Sequence, residues 1–565
     1  MLSQIEKTAK THVRRAGLRR RVSDAVNRIH GRMLEKYDLR LPAGRHAHNL
    51  LTTFRRLQLT FIEGYFVQAL KRKRRTRTRP RVSLDVSGLV RASARRRWLR
   101  LPSELPRLSL GLGLLSALAG VFAPVKKVVR RLQLRALKKR KGRRVPTARI
   151  SRVVFVDAGE MKRSHIEGKP YLYHKYLEGL VDFQSMEIPR DTLVVLYGSL
   201  DIVDNTRLEH PRVLLLDCFR DPGPRPHVGP LIEGLIWEGG YGSGGLESGF
   251  ATALEKNRAL FELLTGHDLD LVTCADAIVS QFREPVEIHL DNFDSTLFAL
   301  SQYLLEHYPQ HTVVGVQRVL GPYTFSYNLN ELAGAVRQPH RILTWGRFHE
   351  RQIRSLGYTC ETESSCMFKL RPYAAFRDLD RGALRQRLVL PLDLPVVMVS
   401  VVQSILGFPL VDPLEYVRFL EALADLANRD ACFVLFKPWP GQDPRSILDL
   451  ATPYFKKNYT LFHSAFNEPF HNVELLRACD VQISTVSSFI GEAWYFGVVP
   501  ILMDTPASRA YFSAAYTRRF REICHPSRGD VVETLEAVLA LSPEQRDAWF
   551  ERSKPAFADV FGEVS

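Results

Sequence analysis

Two doubly wound α/β halves facing one cleft, preceded by a basic and largely helical extension, is the fold class predicted by this 565-residue sequence. Three observations predict it. Short β-branched runs recur from residue 151 with helix-compatible stretches between them, the alternation that builds parallel sheets. The runs fall into two series, separated by a stretch of weaker pattern at 358–393. The charge also changes sign along the chain. Residues 1–150 hold 40 Lys+Arg and 7 Asp+Glu, or +33, whereas residues 151–565 hold 40 and 53, or −13. A mildly acidic body long enough for two domains thus carries a strongly basic extension.

The extension, residues 1–150, contains the cationic runs KRKRRTRTRPR (71–81) and KKRKGRR (138–144). Such runs are solvated and seek polyanions. Between them LSLGLGLLSALAGVFAPV (108–125) has no charge and reaches the lower edge of membrane-spanning length. Its Gly, Ala and Ser content and terminal Pro124 favour a segment that dips into or lies along one leaflet. Val128, Val129, Leu132 and Leu137 then stand among cations at roughly helical spacing, as on an interfacial helix. NLLTTFRRLQLTFIEGYFVQAL (49–70) reads as another largely apolar helix. An anionic membrane surface is the expected partner of residues 1–150. Nucleic acid is the less expected one, because phosphate-binding arms do not need the apolar block. A plain structural tail is the third reading.

Seven cysteines, at 218, 274, 360, 366, 432, 479 and 524, show no CxxC or CxxH spacing. Their odd number and spread predict reduced thiols and no structural zinc. The N-terminus lacks the apolar core of a secretory signal. The expected location is cytoplasmic, peripheral on the inner face of the membrane.

The first half, 151–357, is predicted to hold strands at 152–157, 192–198, 212–217, 269–275, 286–291, 311–317 and 340–346, the last leading into a helix. Residues 358–393 read as a connection. The second half, 394–540, is predicted to hold strands at 394–402, 431–437, 458–464, 481–485 and 498–504. DPLEYVRFLEALADLANRD and EPFHNVELLRACD are helices between them. Residues 541–565 read as a helical tail, and helical residues 529–552 as able to pack back on either half.

Ligands of open α/β sheets collect at the carboxyl ends of strands. There, ISTVSSFIGEAWYFGVVPILMD (483–504) places Thr485, Ser487 and Ser488 between a strand and a short helix. Their hydroxyls, with the N–H groups opening the helix, suit a diphosphate, although ordinary capping explains such residues too. Lys437, leaving its own strand, can reach the same phosphates as a point charge. Gly497 lets the helix end, and Pro500 resets the chain into a strand.

These residues resemble a family. SSFIGEAWYFGVVPIL is similar to the nucleotide-binding signature of GT-B glycosyltransferases. VLFKPWPGQD (434–443) resembles the Lys-Pro-His-Pro-Gly loop of bacterial capsule and cell-surface polysaccharide transferases, including teichoic-acid-polymerase relatives and some sialyltransferases. ILTWGRFHERQIRSLGY (342–358) resembles the segment ending the first domain of those enzymes. The resemblance covers roughly residues 151–540 and implies that Glu492 accepts hydrogen bonds from a ribose diol. It implies a nucleotide-activated sugar donor, a glycan or lipid-linked glycan acceptor, and no cofactor. The family's loop His is Trp439 here, so this chain must supply any contact made by that His in another way. Trp439 itself stacks on a base or sugar, or merely packs.

Inverting transfer needs a general base from the first half. VDAGEMKRSH offers Glu160 first, then Asp157 and His165, since a strand-end loop faces the cleft. Others lie in 225–249: His227, Glu233, Glu238 and Glu247. LDNFDS (290–295) has two residues between its acids, the wrong spacing for a metal-binding Asp-x-Asp, and reads as a helix cap at Asp294. No metal is expected. The leading function is a membrane-peripheral glycosyltransferase moving a sugar or polyol phosphate onto a surface glycan. The alternatives are a sugar-nucleotide epimerase of the same architecture and a non-catalytic polyanion-binding scaffold.

Overall fold

The computed structural model describes most of residues 133–563, with its longer gaps at 221–269, 292–296, 321–336, 439–443, 463–470 and 527–529. The 49–70 helix, the 71–81 cationic run and the uncharged 108–125 stretch lie outside the described residues. Among the described residues no helix is long and apolar enough to cross a membrane.

The first half opens with β1 (Arg152–Asp157), the hairpin β2 (Met161–Ile166) and β3 (Lys169–His174), β4 (Thr192–Tyr197) and β5 (Val213–Leu215). It continues with β6 (Glu287–Asp291), β7 (Thr312–Val316), β8 (Arg341–Thr344) and β9 (Glu361–Ser364). Apart from the hairpin these strands form one sheet in the order β5-β4-β1-β6-β7-β8-β9, parallel throughout. The interior strands are near-continuous apolar runs such as TLVVLY, buried along their whole length, because both faces of a parallel sheet are covered.

The second half contains β10 (Val396–Val399), a small antiparallel pair β11 (Ser404–Ile405) and β12 (Phe408–Pro409), then β13 (Phe433–Phe436), β14 (Tyr459–Leu461), β15 (Val481–Ser484) and β16 (Val499–Leu502). Its sheet runs β14-β13-β10-β15-β16, again all parallel. The two doubly wound sheets expected from the sequence are present. In each, strand order reverses beside the first strand, β1 or β10. A crevice therefore opens outside the carboxyl ends of β1 and β6, and of β10 and β15.

Three local readings need correction. Residues 270–279 are helical, not a strand. Leu271, Cys274, Ala275, Ile278 and Val279 are all buried, a spacing of three and four that a seven-residue window hides. Residues 361–364, read as connection, add β9 to the first sheet. The stretch after Glu160, read as a loop, is the β2–β3 hairpin. Its turn is Glu167-Gly168, with φ of 51° and 75°, the two-residue left-handed turn that matches strand twist.

The helices used below are α1 (Arg347–Ser355), α2 (Arg381–Arg387), α3 (Pro413–Asn428), α4 (Asn472–Ala478), α5 (Phe489–Tyr495), α6 (Pro506–Ile523), α7 (Val531–Leu539) and α8 (Pro543–Phe561). Their starts follow local chemistry: Asp412 caps α3 ahead of Pro413, and Ser542 with Gln545 forms a reciprocal capping box on α8. The C-terminal helix α8 packs on both halves. Trp494 of α5 stacks on Phe557 at 4.0 Å and donates its indole N–H to Ser553 Oγ at 2.7 Å. Gly491 of α5 lies against the Phe561 ring so closely that a Cβ there would come within 2.6 Å of it. At the same end, Phe561 O accepts from Met367 N at 2.7 Å, and Asp559 accepts from Arg351 of α1 at 2.6 Å and Arg519 of α6 at 2.8 Å. The buried rings contribute about 1.5–3 kcal/mol each.

Candidate functional site

At the carboxyl edge of the first sheet, β1 ends on Asp157. Its Oδ1 accepts from Gly159 N at 2.9 Å and so caps the single turn Ala158–Glu160. The turn presents Glu160 to the guanidinium of Arg318, which follows β7. Arg318 also stands 3.8 Å from Asp291, the last residue of β6. Tyr197, the last residue of β4, donates its hydroxyl to Asp291 Oδ1 at 3.0 Å. Asp291 is buried, and its Oδ2 has no hydrogen-bond partner. Burial pushes its carboxyl up to about 7 against the pull of Arg318, with Asp157 and Glu160 adding like charge. Asp157 and Glu160 are therefore brought together, and two groups not picked out from the sequence, Arg318 and Tyr197, organise them around Asp291.

His165 stands apart from that group, on β2. Its backbone carbonyl accepts from His471 N of the second half at 3.2 Å, and its buried Nδ1 has no partner. A different histidine supports the acid turn. His174 Nδ1 accepts from Leu177 N at 3.0 Å, so its Nε2 carries the proton and donates to the Asp157 carbonyl at 3.2 Å. Asp294 and the four further candidates His227, Glu233, Glu238 and Glu247 lie outside the described residues, as does Trp439.

In the second half, Lys437 follows β13. Its backbone N–H is bonded to Val399 O at 2.9 Å, and its ammonium lies 5.0 Å from the Phe489 ring centre. The three hydroxyls after β15 are not equivalent. Thr485 is buried and its oxygen accepts from Val402 N at 3.2 Å. Ser487 Oγ accepts from Phe489 N at 3.2 Å, an ordinary turn bond. Ser488, half-buried at the start of α5, makes no capping bond with its hydroxyl. Glu492 lies in the first turn of α5 and is 2 % exposed. One of its oxygens is ion-paired with the Lys369 ammonium, and the other is buried without a partner. As placed, Glu492 is sealed by Lys369, and a ribose would have to displace that ammonium to reach it.

His471, the cap of α4, completes this corner. Its Nδ1 accepts from Val473 N at 3.2 Å, and its Nε2 is buried without a partner. Burial, with Lys369 and Lys437 nearby, pushes the imidazole down to about 3, so the ring is neutral and Nε2 is an unused donor. The sequence offered no motif for His471 or Lys369. Both are legible only once the chain is folded.

The hairpin carries the first half onto this corner. Tyr171 and Tyr173 of β3 set ring edges against His471 at 5.3 and 4.5 Å, and Tyr373 adds a third at 5.3 Å. Behind them Glu178, pushed up to about 8 by burial, accepts from Tyr171 Oη at 3.0 Å and His174 N at 2.7 Å. At the hairpin tip Glu167 N donates to Glu474 Oε1 at 2.6 Å, and Arg387 of α2 pairs with the same carboxylate. The site is thus a continuous run from the acids of β1 and β6, through His174 and Tyr173, to His471, Lys369, Lys437 and Glu492. Buried polar atoms without partners are uncommon and call for a ligand, a water or a role. This run holds Asp291 Oδ2, His471 Nε2 and Glu492 Oε2. Among the described residues no group of three or more His, Cys, Asp or Glu is placed to hold a metal ion.

No family model matches the chain, and no curated protein matches it. Solved structures similar to it include the trehalose-6-phosphate phosphatase N-terminal domain of Candida albicans, at 12% identity over 72% of this chain and 94% of that one, with a TM-score of 0.42. UDP-GlcNAc 2-epimerase from Neisseria meningitidis, bound to UDP-GlcNAc, is 10% identical over 73% of this chain and 96% of that one, TM-score 0.43. A glycosyltransferase from Rickettsia africae is 11% identical over 66% and 86%, TM-score 0.38. These are likenesses of general build.

Proposed function

We propose that the chain is a glycosyltransferase with a nucleotide-sugar donor, the donor seated on the second half and the acceptor on the first. The observation that carries this reading is the convergence of Lys437, Lys369 and the unused Nε2–H of His471 at one corner of the second half. That corner is joined to the Asp157–Glu160–Asp291 group of the first half through Tyr173, which packs on His471, and His174, which donates to the Asp157 carbonyl. Two ammonium groups and a neutral donor suit a diphosphate. Carboxyls at a strand end, one of them with its titration near neutrality, suit removal of a hydroxyl proton. Ser488 offers a further hydroxyl to the phosphates.

In the proposed reaction the acceptor oxygen gives its proton to a first-half carboxylate and forms a bond to the sugar carbon. The bond from that carbon to the diphosphate oxygen breaks, and the leaving charge falls between Lys437 and Lys369. Asp291, held by Tyr197, is our first choice of base in place of Glu160, because its carboxyl is pushed up to about 7 and stands 3.8 Å from Arg318, whereas Glu160 is in close ion contact with that guanidinium. A metal is not needed in this scheme. The acceptor in our reading is a surface polysaccharide or lipid-linked glycan, with a sugar as the group moved. For a polyol phosphate the acceptor oxygen would instead bond to its phosphorus, and the nucleoside monophosphate would leave as the diphosphate bridge breaks. The basic, partly apolar 1–150 extension supports a place at an anionic membrane surface.

The test is calorimetric titration of the full chain with UDP-, GDP-, CMP- and CDP-linked sugars, without added metal. One of them should bind, and Lys437→Ala should weaken it about 10–100-fold while leaving the melting temperature within a few degrees. Silence from all four with a folded protein would overturn the donor assignment.

A further inference from the structure

A cavity of about 770 Å³ opens at the outer edge of the second sheet, away from the junction of the halves. It lies between α3, the end of β16, α6 and the start of α7. None of its lining residues belongs to the run described above. Its volume falls within the range of ordinary small-ligand pockets.

The cavity is chemically divided. One wall is the face of α3 that carries Glu415, Arg418, Phe419 and Ala422, spaced by three and four residues so that all look the same way. The small Ala422 leaves the room that a larger residue would fill, and Phe419 supplies a ring. The floor is Leu502 and Met503 at the end of β16. Opposite, Arg509 and Arg521 reach from the two ends of α6 onto one carboxylate, Asp504. Arg509 Nε lies 3.3 Å from Oδ1, and Arg521 Nε lies 2.6 Å from Oδ2.

Charge decides what the cavity suits. Three guanidinium groups line it, and so do three carboxylates, but two of the carboxylates are engaged. Asp504 answers for both Arg509 and Arg521. Asp530 Oδ1 caps α7, accepting from Val532 N at 2.7 Å and Glu533 N at 2.8 Å. Arg418 makes no hydrogen bond or ion pair with any described residue. Glu415, the third carboxylate, is pushed up by burial and by Asp412 and is offset by Arg509, so Arg418 is the guanidinium left over, beside an aromatic ring and an apolar floor.

We propose that this cavity binds a small organic anion, a phosphate or carboxylate on a ring-sized apolar body, with the anion on Arg418 and the shared arginines and the body against Phe419 and Met503. Arginine forks match both anions bidentately. The inference does not depend on what the junction of the halves does.

The test uses phenyl phosphate as the probe, titrated calorimetrically into the full chain, with inorganic phosphate alongside. Phenyl phosphate should bind at least tenfold more tightly than inorganic phosphate. Arg418→Ala, which removes an exposed side chain, and Ala422→Trp, which fills the space, should each weaken it at least tenfold. Neither variant should alter the affinity of whichever nucleotide sugar binds at the junction by more than about twofold. If phenyl phosphate does not bind, or binds both variants as well as the parent, the cavity is not a site of this kind. If nucleotide-sugar binding falls with the same variants, the cavity is part of the junction site and the separate site is overturned.

Discussion

The hairpin tip and Glu474 make the contact across the halves that is easiest to perturb cleanly. Glu474 is wholly buried. One of its oxygens accepts from Glu167 N at 2.6 Å and pairs with Arg387, whose side chain is 31% exposed. Glu474→Ala removes an acceptor from a part-buried N–H and takes one carboxylate from the Arg387 guanidinium. Hydrogen bonds to a charged group contribute about 1.5–3 kcal/mol each, and Arg387 recovers some of its share from water, so we expect a loss of roughly 3 kcal/mol. Glu474→Gln keeps an acceptor for Glu167 N and gives up only the charge, so it should lose about half as much. The assay is native-state hydrogen exchange read at the Glu167 amide, alongside urea unfolding of the whole chain. Three kcal/mol is about 150-fold, so that amide should exchange about two orders of magnitude faster in the alanine variant. Exchange within threefold of the parent, at an unchanged urea midpoint, would refute the claim that this carboxylate latches the hairpin.

Three other outcomes are expected. Gly491→Ala should destabilise by about 1–3 kcal/mol, because its Cβ meets the Phe561 ring at 2.6 Å, and Phe561→Leu should recover part of the loss in a double-mutant cycle measured by thermal melts. Asp291 keeps its proton in the fold up to about 7, whereas it ionises near 4 when unfolded. The unfolded chain then binds fewer protons between those values, so Asp291 makes stability fall as pH rises from 4 to 7, and Asp291→Asn should remove that component from a stability–pH series. His349 and His471 act in the opposite direction. Burial pushes each down to about 3, so the unfolded chain binds more protons between 3 and 6.5, and stability is lost as pH falls below 6.5. His471→Asn should flatten that acid limb, and an unchanged limb would show that the ring is not buried neutral.

What could be read from the sequence was whatever depends on local pattern. The apolar runs around Phe155, Val195, Met398 and Ile483 are strands because both faces of a parallel sheet are covered, and that leaves an unbroken hydrophobic signature. Asp157, Lys437 and Ser488 could be placed at strand ends because those ends can be located from the runs themselves. What escaped depends on distant partners. The β2–β3 hairpin carries polar residues along β2, so its one local sign was the Glu-Gly turn. Lys369 sits in a stretch without motif and gains its meaning from Glu492, 123 residues on. Thr485 looked like a ligand-facing hydroxyl, but Val402 N takes it 83 residues away. The 270–279 helix was mistaken for a strand because its first turns are apolar enough to read either way.

The long reach of the junction contacts has a consequence for the order in which the molecule assembles. Each sheet can close through neighbouring β-α-β units, whereas Glu167 must find Glu474 across 307 residues and Arg351 must find Asp559 across 208. Bringing such distant segments together costs more chain entropy than closing the short loops within a sheet. Refolding from denaturant should therefore show secondary structure returning first and the stacking of Trp494 on Phe557 settling later. During that interval the face of the first half around Gly346, against which the Asp559 and Val560 backbone of α8 packs in the fold, is uncovered, and it is there that a kinetic partner, or an aggregate, would gain its hold.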